Sequence, residues 1–349
     1  MFGKFLGAAL AASLLCASAA LAQPQDCSLK QIASLPITTT ADGKIAVPVK
    51  VAGRDVLMAI ELGTGVTGIN AHVIDALKLD TAPIPGADVP ANLEDVFMMP
   101  AAAQFIYQDD VFTRGVKTTI MRKVILPEFQ IGALDVKDYT VRALPAWSDA
   151  DGVMGILGSS MLSHVDVELD FANAKMNLYS QDHCIGKVVY WANQYAAVPL
   201  AVNGITGEVM AQASLDGTTL MATLSTDPGH GEISLSVAHK LMDISTASPD
   251  LKTITSPHPV SEGSWYSYPF KTFSLGGLAL QNPSIDVYSM ADYCTQAKLH
   301  GPIYVPASRD SAGLCVSDVI IRLAELKKLH LYFAFGEKRL YVTAADGHK

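Results

Sequence analysis

The 349-residue chain is 50% hydrophobic, 17% charged and 7% aromatic, which excludes a disordered or fibrous protein. Its 25 Lys+Arg face 34 Asp+Glu, for a formal net charge of -9 with no basic run, so neither nucleic acid nor an anionic membrane surface is an expected partner. The 5 Cys and 9 His make no CxxC, HExxH or zinc-ligand spacing, so no metal and no cofactor is expected.

Residues 1–22 read as a secretory signal peptide. Lys4 starts it, an apolar stretch runs from Phe5 to about Leu15, and Ala20-Leu21-Ala22 is a small-x-small cleavage site. The apolar run is short for a bilayer span. Leu14 and Leu15 precede Cys16, where a lipoprotein would carry small residues. After cleavage no membrane span is expected, and the chain is read as a periplasmic or secreted monomer. Cys27, Cys184, Cys294 and Cys315 remain, an even count that favours two disulfides in an oxidising compartment.

Strands are predicted at Ile45–Val51 and Val56–Leu62, flanking the turn Ala52-Gly53-Arg54-Asp55. The Gly-rich loop Gly63–Gly68 follows. Asn70–Leu79 has helical period, with Val73, Ala76 and Leu77 on one face. Strands come next at Lys123–Leu126, Gln130–Ile131 and Tyr139–Ala143. A Gly-rich turn with a short helix, Gly152–Leu162, leads to a closing hairpin of Asp166–Phe171 and Lys175–Tyr179.

The whole unit then recurs. At an offset of 164 residues Gly53 meets Gly217, Gly65 meets Gly229, Ile69 meets Ile233, Val73 meets Val237 and Leu77 meets Leu241. The same offset lays Val165–Leu178 over Leu329–Val342, while Phe129–Gly132 resembles Phe273–Gly276 at an offset of 144. This is a tandem duplication of a domain; the period is far too long for a solenoid. The predicted organisation is residues 1–22 as signal peptide, 23–187 as N-terminal lobe and 188–349 as C-terminal lobe. Strand-dominated patterning makes the class all-β. Cys27 opens the first unit and Cys184 closes it, so Cys27–Cys184 is the preferred pair, leaving Cys294–Cys315 to close a loop in the second unit.

Strand, x-x-Gly turn, strand, acidic-x-Gly loop, helix, then Asp151-Gly152-Val153-Met154-Gly155 and a closing hairpin resemble the retropepsin/pepsin-like aspartic proteases. The pattern is most similar to bacterial secreted members with two lobes in one chain, over about residues 29–345. The resemblance implies a bilobal acid-protease fold, with an interlobe cleft that takes a peptide or protein. It also implies one Asp-Thr/Ser-Gly loop per lobe. Two close carboxyls then share one proton, one acting as base toward water and the other polarising the peptide carbonyl. The middle hydroxyl would bond across to the other loop.

Both loops depart from that pattern. Glu61 stands at the first Asp position, followed by Leu62 and Gly63. In the second loop Ser225 stands at the Asp position, Thr226 keeps the hydroxyl and Asp227 replaces the glycine. Val319 falls where the repeat places Gly155. The leading expectation is a catalytically degenerate protease-like protein that binds peptide or protein in its cleft. The alternatives are an active aspartic endopeptidase with an altered dyad, Glu61 with Asp227, and an envelope structural or interaction protein.

Other signals are weaker. Gly63-Thr64-Gly65-Val66-Thr67-Gly68 formally matches a dinucleotide fingerprint with Asp80 as ribose partner, but hairpins follow where a Rossmann sheet needs crossover helices. GxSxG is absent. His164 and His230 read as surface or packed histidines, and Met98-Met99 as packing. The resemblance would place Tyr107, in Gln104–Phe112, on a hairpin over the cleft. Trp265, Tyr266 and Tyr268 read as half-buried sheet or as a peptide groove.

Overall fold

The computed structural model describes residues 27–84, 122–144, 152–204, 206–257, 263–289 and 317–345. The signal peptide, Met98-Met99, Tyr107, Asp151 and the Cys294–Cys315 pair lie outside the described residues.

In the first half, β1 (Gln31–Pro36) and β2 (Thr38–Thr39) precede the hairpin of β3 (Ile45–Val51) and β4 (Arg54–Glu61). Ala52 and Gly53 form its two-residue turn at φ 49 and 75, a type I′ geometry that suits the right-handed twist of the strands. Strand β5 (Gly68–Asn70) runs into α1 (Ala71–Leu77), capped where the Asn70 side chain accepts from His72 N at 2.8 Å. The helix ends at Lys78 in the left-handed region, shorter than the expected Asn70–Leu79. It buries Val73 and Ile74 and leaves Ala76 exposed, so its buried face is rotated from the expected one. β6 (Thr81–Pro83), β7 (Arg122–Ile131), β8 (Leu134–Leu144) and β9 (Val153–Gly158) complete this sheet. β7 is one strand where two were expected, because its register with β8 is the same on both sides of Pro127, with Asp138 opposite it at φ 51. Gly152–Leu162 is likewise a strand before it is a helix, α2 (Ser159–Leu162). β10 (Asp166–Asp170) and β11 (Lys175–Tyr179) form the expected closing hairpin.

The second half repeats the plan with β12 (Ala196–Val202), β13 (Val209–Leu215), β14 (Thr218–Leu224), β15 (Gly231–Ser234) and α3 (Leu235–Met242). Asp216 and Gly217 turn the β13–β14 hairpin at φ 47 and 83, as Ala52 and Gly53 do in the first half. β16 (Lys252–Ile254), β17 (Ser264–Ser267), β18 (Thr272–Leu275), β19 (Leu278–Gln281) and β20 (Ile285–Ser289) follow. β21 (Val319–Ile321), α4 (Leu323–Leu326) and the hairpin β22 (Leu329–Ala334) with β23 (Arg339–Ala344) close the chain.

The class is all-β and two-lobed, the arrangement of the acid-protease fold. An 8-stranded sheet runs β2-β3-β4-β9-β5-β8-β7-β6, and a 15-stranded one runs β1-β11-β10-β22-β23-β12-β13-β14-β21-β15-β20-β17-β16, with β18 and then β19 branching from β13. Each half holds the same crossed unit. β4 lies parallel to β9, which is antiparallel to β5; β14 lies parallel to β21, which is antiparallel to β15. The loops after β4 and β14 are thereby threaded beside their own sheets and turned toward each other. The two closing hairpins meet edge to edge, with Leu169 opposite Leu331, so the halves share a sheet beneath the site. Apolar residues of both halves, among them Met58, Phe129, Leu224, Phe273 and Leu331, belong to one buried cluster. Cys27 and Cys184 are disulfide-bonded as expected. Among the described residues no helix is long and apolar enough to cross a membrane.

Candidate functional site

The two loops meet where the duplication axis crosses the molecule. Thr226 bonds across it: its Oγ1 accepts from Leu62 N at 3.0 Å and donates to Ile60 O at 2.5 Å. This is the cross-loop bond expected of the middle hydroxyl. Leu62, fully buried and apolar, has no hydroxyl to return it, so the grip is one-sided. Backbone contacts reinforce it, with Val209 N bonding Leu62 O at 2.9 Å and Gly65 N bonding Thr206 O at 2.7 Å. Hairpin turns of each half reach the loop of the other: Gly43 packs on Pro228 and Gly207 on Gly65.

Glu61, the last residue of β4, is only 7% exposed. Its carboxyl lies beside that of Asp227. Burial first, then the charge and proximity of Asp227, push Glu61 well above the ordinary carboxyl range, against a weaker opposing pull from Lys44 and Arg322. Glu61 therefore keeps its proton where a free glutamate has lost it. Ser225, at the second Asp position, is 2% exposed and donates to Asp227 Oδ2 at 3.1 Å. A Cβ on Gly63 would lie 3.0 Å from Ser225 Oγ, so the first loop approaches the second because this residue has no side chain.

Asp227 is held from a third side. Arg322, next after β21, donates from Nη1 to Asp227 Oδ2 at 3.2 Å, from Nε to Glu232 Oε1 at 3.0 Å, and approaches the same oxygen with Nη2 at 2.9 Å. The Arg322 and Glu232 side chains are 15% and 12% exposed, and that of Asp227 is 42% exposed. Asp227 is thus the carboxylate of the group that solvent or a ligand reaches.

The structure brings together all the sequence-predicted site residues: Glu61, Gly63, Ser225, Thr226 and Asp227. Sequence reasoning missed Glu232 and Arg322. The repeat carried the signal, since its offset places Asp227, Glu232 and Arg322 on Gly63, Gly68 and Gly158. His230 is exposed and bonds Asp286 at 3.1 Å; His164 is exposed. Trp265 is buried against Tyr288, and Tyr266 and Tyr268 pack on the core, so this cluster belongs to the sheet and does not form an open groove. In the Gly63–Gly68 loop the N–H groups of Gly65 and Val66 are taken by Thr206 O and Thr64 Oγ1. Among the described residues no His, Cys, Asp and Glu are grouped to hold a metal ion.

No family model matches the chain, and no curated protein matches it. Solved structures similar to it include basic 7S globulin from soybean, at 10% identity and TM-score 0.46, covering 91% of this chain and 96% of that one. Another is edgp, at 8% identity and TM-score 0.48, covering 91% and 96%. A third is conglutin gamma, a basic 7S globulin from lupine seeds, at 8% identity and TM-score 0.44, covering 90% and 95%. The expected kinship with bacterial secreted retropepsin-like proteases is therefore corrected: these neighbours are basic 7S globulins and edgp, and no protease family model recognises the chain.

Proposed function

We propose that the chain is an exported protease-like protein, periplasmic or secreted, that holds a peptide or protein segment at its interlobe site without cleaving it. One observation carries this reading: Ser225 occupies the second Asp position, and the nearest acid, Asp227, is engaged by Arg322 at 3.2 Å. A peptidase dyad needs two matched carboxyls with one proton between them and a water held against both. Arg322 and Ser225 both donate to Asp227 Oδ2, which occupies an oxygen that a base would offer to water. A shift of about 1 Å in such a site costs about 100-fold in rate, and Asp227 enters two residues along the loop from the usual place. What persists is a partly open carboxylate beside a buried carboxyl donor, suited to hydrogen-bonding a backbone segment.

The test is incubation of the mature protein with a diverse peptide mixture between about pH 3 and pH 7, reading new termini and retained peptides by mass spectrometry. Retention without new termini, altered in Asp227→Asn, is the expected result. New termini that disappear in Glu61→Gln would replace this reading with the altered dyad, which the proximity of Glu61 to Asp227 favours. Neither retention nor cleavage by folded protein would leave a structural role.

A further inference from the structure

Below the candidate site, the outer face of the shared sheet carries a second cluster of titratable groups. On β10, Asp166, Glu168 and Asp170 alternate along one face, with side-chain exposures of 0%, 0% and 11%. The segment 182–191, which connects the halves, lies across them. It is tied down by the Cys27–Cys184 disulfide, by His183 on Asp166 at 2.6 Å, and by Tyr190 Oη on Glu168 at 2.9 Å. Trp191 stacks on His330 at 4.1 Å, and Gly186 N bonds Glu337 at 3.0 Å.

His183 is the decisive group. Its side chain is 2% exposed, and both ring nitrogens face acceptors. Nε2 is against Asp166 Oδ2, while Nδ1 lies 3.3 Å from Cys184 O and 3.4 Å from Glu337 Oε1. Only the doubly protonated ring has two N–H donors; a neutral one turns a lone pair onto an oxygen. The surroundings are acidic. From β10 come Asp166, Glu168 and Asp170, and from the β22–β23 turn Glu337, itself bonded by Tyr341 Oη at 2.5 Å. From β22 come His330, on Glu168 at 2.8 Å, and Tyr332; Tyr179 on β11 bonds Glu168 at 3.0 Å.

We propose that segment 182–191 is a proton-operated latch, held on the shared sheet while His183 carries both ring protons and released as it loses one. Burial alone would push His183 down, but Asp166, the Cys184 carbonyl and Glu337 together hold it above the ordinary histidine range. Burial also raises Asp166. A group raised in the folded state stabilises it fully below its unfolded value, about 6.5 for histidine, and that stability is lost as pH rises through the folded value. The latch is therefore closed in acid and opens as pH rises through the raised His183 value.

The test uses the full mature chain, disulfide intact, with Trp147→Phe and Trp265→Phe so that Trp191 alone reports. Its emission shifts to the red as pH rises from 5 to 9, with a midpoint above about 6.5. Pulse hydrogen exchange at one fixed labelling pH after the jump shows about tenfold faster labelling of 185–191 above the midpoint, with β4 and β14 unchanged. His183→Gln removes the transition. Should that variant not fold, Glu337→Gln, which keeps the Asp166–His183 bond, moves the midpoint down by about one unit. A Trp191 signal flat with pH overturns the latch. So does a midpoint unmoved in both variants.

Discussion

The two crossed loops descend from one unit and differ most at three matched positions. The first has glycine at 63, 68 and 158; the second has Asp227, Glu232 and Arg322. In the first lobe the glycines allow backbone to lie on backbone. A Cβ on Gly158 would fall 2.2 Å from Val66 O, and one on Gly68 would fall 2.6 Å from Leu144 Cγ. In the second lobe the same places are filled by a guanidinium and two carboxylates that neutralise each other in part. The charges form a matched set, because any one alone is an uncompensated ion in a mostly buried place. One ancestral geometry has thus been kept close-packed on one side and rebuilt as an ion triad on the other.

Gly158→Ala should have the largest effect on this contrast. The added carbon clashes with the Val66 backbone, which cannot rotate away, so a loss of about 3 kcal/mol or more is expected in denaturant unfolding. Arg322→Met should cost about 2–3 kcal/mol, since it leaves Asp227 and Glu232 facing each other, with the partial exposure of Asp227 softening the loss. Adding Asp227→Gly and Glu232→Gly to Arg322→Gly should recover part of that loss. Strict additivity in the mutant cycle would show that the three charges do not act as a set.

Thr226→Val tests the one-sided grip. It leaves Leu62 N and Ile60 O without their buried partner, for about 2 kcal/mol, seen as a lower unfolding midpoint. Glu61→Gln should act least, and with a sign that depends on pH. The folded-state value of Glu61 is raised, so its wild-type contribution is complete below about pH 4.5 and is lost as pH rises through that higher value. Glutamine cannot ionise. The variant should match wild type in acid and exceed it in Tm near neutrality; equal Tm values across the range would mean that the Glu61 carboxyl is not desolvated.

Much of the fold was legible in the chain. The turn glycines Gly53 and Gly217, the helical period after Asn70 and the alternating strands are local features, and each keeps its meaning without the rest of the molecule. The misreadings were also local. Residues 123–131 read as two short strands, yet pairing with β8 in one unbroken register makes them one, and the period of α1 left its buried face ambiguous by one residue. In the candidate site the loops were legible by comparison with each other. Glu232 and Arg322 escaped because each looked like an ordinary strand-end charge.

The amino-acid sequence by itself determined the internal repeat and the all-β class, and it favoured the Cys27–Cys184 pairing. All of these rest on residue identity at fixed spacing. Only the tertiary structure decided that Asp227 and Arg322, 95 residues apart, and Arg322 and Glu232, 90 apart, form one ion triad. It alone set Glu61 against Asp227 and folded His183 between two acids. These are electrostatic facts, and a charge's partner and its burial depend on distances in space that no spacing along the chain encodes.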